Sequence, residues 1–466
     1  MDRPEHADVV VIGLGPGGEY LAGTLAEAGL RVAGIESRLV GGECPYYGCV
    51  PSKMMIRAAN LIAETRRVPG MAGTSAITPE WPTVARRIRE EATDDWNDKV
   101  AADRFAGKGG HLIRGRGKIT GAGQVTVTGA GGTTRVVLAR KGIVINTGAD
   151  PLIPPLDGLA GTPYWTNREI VQAERVPESL IVLGGGAIGA ELAQVFARFG
   201  TGVTVIEALP RLLSFEEPEA SELIERVLAA EGITVRTNAP AEKISYDGRR
   251  FSVHLGQDSC TAERLLVSTG RRADLGALGV AAVGLDPAAA NIPTDGWMRA
   301  ADGVWAIGDV TGKGAFTHMS MYQAEIAVRD ILGQGGEPAD YCAVPRVTFT
   351  DPEIGSVGLT EGQARAAGLR VRTGVAQIPA SARGWIHKAG NDGFIKVIED
   401  AERAVLVGAS SAGPWGGEVL SALQVAIRAG VPVATLRNMP YAYPTFHRAI
   451  EDALKNLDEV EGVRSS

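Results

Sequence analysis

A glycine-rich turn set between a β-branched run and a helix-like stretch occurs twice, and it limits the fold more than any other feature. The first copy reads Val9-Val10-Val11-Ile12-Gly13-Leu14-Gly15-Pro16-Gly17-Gly18, followed by an apolar-periodic stretch, a second apolar run over residues 31–35, and Glu36. The second reads Ile181-Val182-Leu183-Gly184-Gly185-Gly186-Ala187-Ile188-Gly189, then a helix-like stretch over 191–199, an apolar run over 203–206, and Glu207. In both copies the carboxylate stands 23 positions after the first glycine. A lone turn of this kind is a weak signal. Two copies, each strand–turn–helix–strand and each closed by an acidic residue, make a dinucleotide-binding βαβ fingerprint used twice.

Each residue type has a physical reason. Gly13 and Gly184 permit the tight turn, Gly15 and Gly186 let the backbone approach a pyrophosphate, and Gly18 and Gly189 let the helix pack close to the strand. The helix N-terminus attracts the phosphate charge. Glu36 and Glu207 accept hydrogen bonds from ribose hydroxyls. A carboxylate at Glu207 repels a 2′-phosphate, so NADH is expected over NADPH. Arg211, just downstream, softens that preference and keeps NADPH possible.

With 466 residues the chain exceeds a single core, and two to four domains are expected. A formal net charge of −7 without a basic block argues against nucleic acid as a partner. No apolar run reaches the ~20 residues of a membrane span. The residues Met1 to Asp8 are polar and carry no export core, so a cytoplasmic protein is expected.

Further short strands read as 141–147 ending at Thr147-Gly148, 264–268 ending at Thr269-Gly270-Arg271-Arg272, and 303–307 ending at Gly308-Asp309. A carboxylate at a strand's C-terminal edge lies where open α/β sheets bind ligands. Residues 81–105 read as a polar helix and 115–132 as hairpins. Beyond Pro345, strands are expected near 347–349, 371–378, 394–398 and 405–407, with helices near 361–367, 418–429 and 446–457. That is a separate α+β domain.

The chemistry sits in Gly41-Gly42-Glu43-Cys44-Pro45-Tyr46-Tyr47-Gly48-Cys49-Val50-Pro51-Ser52-Lys53. The chain has only four cysteines, too few for a secreted disulfide framework. Zinc needs a second ligand pair, which is missing. A staple closing so small a loop adds little stability. Redox use fits better. In a regular helix, positions i and i+5 lie roughly 8–9 Å apart, beyond disulfide reach, so bonding needs a distorted helix start, which Gly48 and Pro51 could provide. Cys49 then stands near a helix N-terminus, which favours thiolate. Cys260 and Cys342 read as unpaired structural thiols.

The cysteine loop, the two nucleotide units and the late strand motifs together resemble the class I pyridine nucleotide–disulfide oxidoreductases, the group containing dihydrolipoamide dehydrogenase, glutathione reductase and mercuric reductase. The resemblance covers nearly the whole chain. It implies an α/β fold of two Rossmann-like dinucleotide-binding domains plus a C-terminal α+β dimerisation domain, and hence a homodimer. The implied limits are 1–150 for the first part of the FAD domain, 151–270 for the NAD(P) domain, 271–343 for the second FAD part and 344–466 for dimerisation. FAD would be held by the first βαβ unit with Gly42, Thr147, Gly148, Gly270, Gly308 and Asp309. The segment Thr317-His318-Met319 resembles the helix start that faces the flavin. Cys49 would be the thiol against the flavin and Cys44 the thiol that meets substrate. Lys53 would lie near the flavin and pair with Glu191; a solvated helix lysine is its plainer reading.

One segment departs from the family. Most disulfide-reducing members carry a His-Pro-Thr sequence followed by a glutamate, and the histidine serves the partner subunit's thiols as acid and base. Here the stretch is Tyr441-Ala442-Tyr443-Pro444-Thr445-Phe446-His447-Arg448, with Tyr443 at the histidine position and Arg448 at the glutamate position. A phenol titrates near 10 and an imidazole near 6.5, so Tyr443 is a poor base at neutral pH. His447 reads as a surface or capping residue, with a substitute base the rival reading. Mercuric reductases place tyrosine there but add a C-terminal cysteine pair, whereas this sequence closes Glu461-Gly462-Val463-Arg464-Ser465-Ser466, so mercury reduction is disfavoured. Acceptors needing little acid assistance, such as quinones, oxidised metals or dyes, fit. The rival readings are a diaphorase-type reductase that uses only its flavin, and a redox-responsive flavoprotein with little turnover. Turnover that survives loss of Cys44 would favour the former; negligible turnover despite normal flavin reduction would favour the latter.

Overall fold

The computed structural model describes residues 4–457. The stretch Glu461 to Ser466, on which the expectation about terminal cysteines rests, lies outside the described residues, as do Met1 to Arg3. The chain divides into two compact units. One runs to Ser52 and adds Ala85–Leu152 and Gly270–Asp340; the other comprises Lys53–Val84, Ile153–Thr269 and the residues from Tyr341 onward.

In the first unit the sheet order is Arg299–Ala301, Val304–Ala306, Thr134–Ile145, Glu5–Ile12, Val32–Glu36, His111–Arg114. Glu5–Ile12 pairs in parallel with strands on both sides, Val11 lying opposite Gly34 and Val144. That placement explains the unbroken run Val9-Val10-Val11: all three are fully buried, so neither face of the strand needs polar residues. The following helix, Pro16–Glu27, has Gly15 as its N-cap and Pro16 at its first position, where the missing N–H costs nothing. Arg116–Gly121 and Gln124–Thr128 form the hairpin expected there.

The second unit holds a parallel sheet ordered Thr234–Arg236, Gly202–Ile206, Ser179–Leu183, Arg264–Val267, and a three-stranded antiparallel sheet over Lys243–Ala262. Its five-stranded antiparallel sheet runs Pro345–Thr348, Glu353–Gly358, Val405–Gly413, Phe394–Asp400, Val371–Gln377. Leu420, Leu423 and Ile427 of helix Gly416–Arg428 and Ile450, Ala453 and Leu454 of helix Ala449–Lys455 pack on that sheet around Ile395 and Val397.

The structure differs from expectation in places. Strand Glu353–Gly358 and helices Ala382–His387 and Val433–Asn438 were not anticipated, and the last helix begins at Ala449 rather than near 446. Residues 81–105 are not one helix. Trp81–Arg87 is helical, Ile88–Ala92 widens into a π-turn, and Asp94, Asp95 and Trp96 follow with φ of 48°, 57° and 54° before helix Lys99–Gly107. Thr93 is the local cause: its buried hydroxyl donates to the Ile88 and Arg89 carbonyls, so the side chain competes with the helical ladder. Left-handed geometry costs an L-residue roughly 1–2 kcal/mol.

Candidate functional site

The first glycine turn closes on Asn146. Gly13 has φ 93°, and a Cβ there would collide with the Asn146 carbonyl; the Asn146 amide donates to the Gly13 carbonyl at 3.3 Å, and Ser320 donates to Asn146 Oδ1 at 3.2 Å. A Cβ on Gly308 would come within 2.9 Å of Asn146 Oδ1. Buried Asn146 therefore gathers Gly13, Gly308 and Ser320 at the C-terminal edge of the sheet. Sequence reading quoted it only as the residue before Thr147-Gly148. Thr147 is exposed and Gly148 takes φ 64°.

Glu36 Oε2 accepts the Leu14 N–H at 2.8 Å and Oε1 accepts the Arg38 N–H at 2.7 Å. Burial pushes the Glu36 carboxyl up, while these amide bonds and Arg114 oppose it. Asp309 follows Gly308, and its carboxyl is also raised, by burial first, with Arg271 acting against that. Arg271 donates to the Ala149 carbonyl and lies 3.7 Å from Glu43. Gly270, with φ 121°, accepts the Leu152 N–H at 2.9 Å. His318 is exposed and stacks on Phe316, ring centroids 5.2 Å apart.

The redox loop begins against the same turn, since a Cβ on Gly42 would stand 2.8 Å from Gly15 Cα. Cys44 sits in a short helix, Glu43–Tyr46, and Cys49 opens a second, Cys49–Arg67. The break falls at Tyr47-Gly48, where a Cβ on Gly48 would approach the Glu43 carbonyl at 3.1 Å and Cys44 Cα at 3.5 Å. No disulfide joins the two cysteines, which are in the dithiol form. The Cys44 thiol is pushed well above its ordinary range, chiefly by its hydrogen bond with Cys49 and next by burial. Cys49 Sγ lies 3.7 Å from Thr317 Oγ1, in the first residue of helix Thr317–Ile331. The sequence marked that helix start; it did not indicate that the hydroxyl would meet the sulfur.

In the second unit, Lys53 Nζ lies 2.8 Å from Glu191 Oε2 and 4.5 Å from the centre of the Phe349 ring. Glu191 Oε1 accepts the Phe349 N–H at 2.8 Å. The sequence placed Phe349 only in an expected strand and gave no sign of this contact. The second glycine turn repeats the first: Gly184 has φ 107°, a Cβ on Gly189 would strike the Gly184 carbonyl, and nothing approaches a Cβ on Gly186. Glu207 accepts the Gly185 N–H at 2.7 Å and the Leu209 N–H at 2.8 Å. Arg211 folds onto its own loop, donating to the carbonyls of Ser214 at 2.7 Å and Glu216 at 2.9 Å and to Ser221 Oγ at 2.7 Å. Tyr443 is 70% exposed, with the Arg448 guanidinium 5.5 Å over its ring and bound to Glu451 at 2.9 Å. His447 lies 6.3 Å from the Tyr441 ring.

Residues 7–329 match the family described as pyridine nucleotide-disulphide oxidoreductase, and residues 344–454 match that family's dimerisation domain. A dihydrolipoyl dehydrogenase of Chlorobaculum tepidum is 34% identical over 455 residues, spanning 96% of each chain. A mercuric reductase of Acidithiobacillus ferrooxidans is 31% identical over 460 residues, 97% of this chain and 83% of its own. The Cu(II) complex of the HOCl-induced flavoprotein disulfide reductase RclA from Escherichia coli is similar with a TM-score of 0.85 at 27% identity, covering 98% of this chain and 99% of that one. The chain belongs to the pyridine nucleotide-disulphide oxidoreductase family. Its members are FAD-containing NAD(P)H disulfide oxidoreductases, and this is an enzyme of that kind. The dimerisation domain supports a homodimer. No helix among the described residues is long and apolar enough to cross a membrane. The two glycine cradles fit the family's cofactors: each has the space and amides for a diphosphate that a side chain would fill, beside a carboxylate suited to a ribose.

Proposed function

We propose that this enzyme draws electrons from NADH and delivers them through Cys44 and Cys49 to an acceptor that needs no imidazole acid, a quinone or an oxidised metal ion. The hydrogen-bonded thiol pair on two broken helical turns carries the reading. FAD, when bound, supplies two-electron exchange between a nicotinamide and a disulfide. Gly13, Gly15, Gly18, Glu36, Gly42, Thr147, Gly148, Gly270, Gly308, Asp309 and His318 would hold it, with Lys53 near its ring and Glu191 fixing Lys53. Gly184, Gly186, Gly189 and Glu207 would hold the nicotinamide nucleotide. The Glu207 carboxylate disfavours a 2′-phosphate, and the engagement of Arg211 with its own loop supports NADH.

In delivery, Cys44 and Cys49 lose two protons and two electrons as their S–S bond forms. A quinone takes up both, or two Cu(II) ions become Cu(I) while the protons go to solvent. Tyr443, exposed under Arg448, is a weak substitute for a histidine base, which turns the reading away from disulfide substrates. The Cu(II) held by the similar RclA structure supports metal ions among the acceptors. The low cysteine count supports a cytoplasmic location. Replacing Cys44 by Ser and screening disulfides, quinones and Cu(II) with NADH tests this: turnover is expected to collapse, and unchanged turnover removes the relay.

A further inference from the structure

The segment after helix Trp81–Arg87 is strained without an evident need of its own fold. Three consecutive non-glycine residues, Asp94, Asp95 and Trp96, adopt left-handed backbone with φ of 48°, 57° and 54°. The strain is held by design of the neighbouring bonds. Thr93 Oγ1 accepts the Trp96 N–H at 3.3 Å while donating back to Ile88 and Arg89, and the Asp95 N–H reaches the Arg89 carbonyl at 2.7 Å. Backbone kept in sparsely populated geometry by surrounding bonds is a reason to ask what it positions.

What it positions is the cysteine loop, at two points. The Trp96 indole Nε1 donates to the Tyr46 carbonyl at 3.1 Å, between the two cysteines and just before the Tyr47-Gly48 break. Two residues further, the buried Asp98 carboxylate accepts the Val40 N–H at 2.6 Å, at the loop's start, and is itself fixed by Arg114 at 2.7 Å. The left-handed turn sets Trp96 and Asp98 so that one segment holds both ends of the stretch from Val40 to Tyr46, which contains Cys44.

We infer that Asp94–Trp96 is a positioning element for the redox pair, with the Trp96 indole bracing the turn between Cys44 and Cys49 in the dithiol form. This rests on the reading that the two cysteines cycle between dithiol and disulfide. The brace acts on the end of helix Glu43–Tyr46, and so on the placing of Cys44 relative to Cys49. Losing a bond made in one redox state shifts the equilibrium toward the other, and a hydrogen bond of ordinary net strength corresponds to about 2- to 10-fold.

The test equilibrates holoenzyme with mixtures of reduced and oxidised glutathione, without NADH, and quantifies alkylated Cys44 and Cys49 peptides by mass. In this exchange the two thiols form one S–S bond while one glutathione disulfide becomes two thiols. Trp96→Phe keeps the ring and removes the donor; its dithiol–disulfide constant is expected to move about 2- to 10-fold toward the disulfide. Asp95→Gly relieves left-handed strain but keeps the indole, and should match the wild type in this constant while melting no lower. Equal constants for Trp96→Phe and wild type, with flavin absorbance intact, overturn the inference alone. A wild-type pair that never cycles in glutathione overturns the redox reading beneath it.

Discussion

Glu36 and Glu207 make the same pair of bonds in their respective units. Each carboxylate accepts the N–H of the residue after the first glycine, Leu14 at 2.8 Å and Gly185 at 2.7 Å. Each also accepts the N–H two positions beyond itself, Arg38 at 2.7 Å and Leu209 at 2.8 Å. The repeat read in the sequence is thus a repeat of hydrogen bonds, and the two copies can be broken separately.

Gly13→Ala and Gly184→Ala separate them. Both positions need positive φ and have a carbonyl where the new methyl would go, Asn146 and Ser268 respectively. Gly13→Ala is expected to yield protein with little or no flavin. Gly184→Ala is expected to stay yellow and to lose reduction by NADH while still reducing with dithionite. Absorbance spectra before and after each reductant check both outcomes.

Glu207→Gln removes the charge facing a 2′-phosphate and keeps one accepting oxygen for the Gly185 or Leu209 N–H, the amide nitrogen being a donor that serves neither. The ratio of kcat/KM for NADH to that for NADPH is expected to fall about tenfold, the change produced by some 1.4 kcal/mol. Initial rates with a dye acceptor measure it. An unchanged ratio would place nucleotide choice elsewhere.

The Cys44 thiol is raised above its ordinary value first by its bond with Cys49. A raised thiol pKa means the neutral form persists, so Cys44 alkylation should stay slow through neutral pH and accelerate only in strong alkali. In Cys49→Ala the largest cause is gone. The pH at which Cys44 reacts with iodoacetamide should then move down, read from peptide-level rates across a pH series.

Arg198 is 1% exposed and bound by Glu231 at 2.6 Å, Asp351 at 2.8 Å and Asn60 at 2.6 Å. Truncating it takes from Glu231 the guanidinium bound to it, while Asp351 keeps Arg67 at 2.7 Å. Arg198→Ala should cost about 3 kcal/mol of stability, seen as a lower denaturant midpoint. Arg198→Met with Glu231→Gln should recover part of it, because the charge left behind is smaller.

Much of this was legible because steric rules are local. A glycine that must hold positive φ against a carbonyl, as at Gly13, leaves a fixed mark, and the β-branched run before it marks a strand buried on both faces. The spacing of Cys44 and Cys49, with Gly48 and Pro51, pointed to a distorted helix start; that Cys44 would lie in a separate short helix before the long one opened by Cys49 was not legible. The left-handed turn at Asp94–Trp96 was not legible, because aspartates and a tryptophan in polar surroundings continue a helical pattern, and the Thr93 competition is specified by burial. The contact of Glu191 with the Phe349 N–H depends on a backbone amide, which no side-chain pattern records. At Tyr443 and Arg448 the residue types signalled a departure, while the stacking of one on the other emerged only in the structure.

The central claim is that the cysteine pair exchanges electrons with the bound flavin, and anaerobic titration with NADH measures it directly. Wild-type enzyme should take up about two hydride equivalents per flavin, one for the two-electron sulfur couple and one for the ring. A long-wavelength absorbance band should rise after the first, and Cys44→Ser should be fully reduced by about one equivalent. Wild-type flavin bleached completely by a single equivalent, with no such band, would contradict the account.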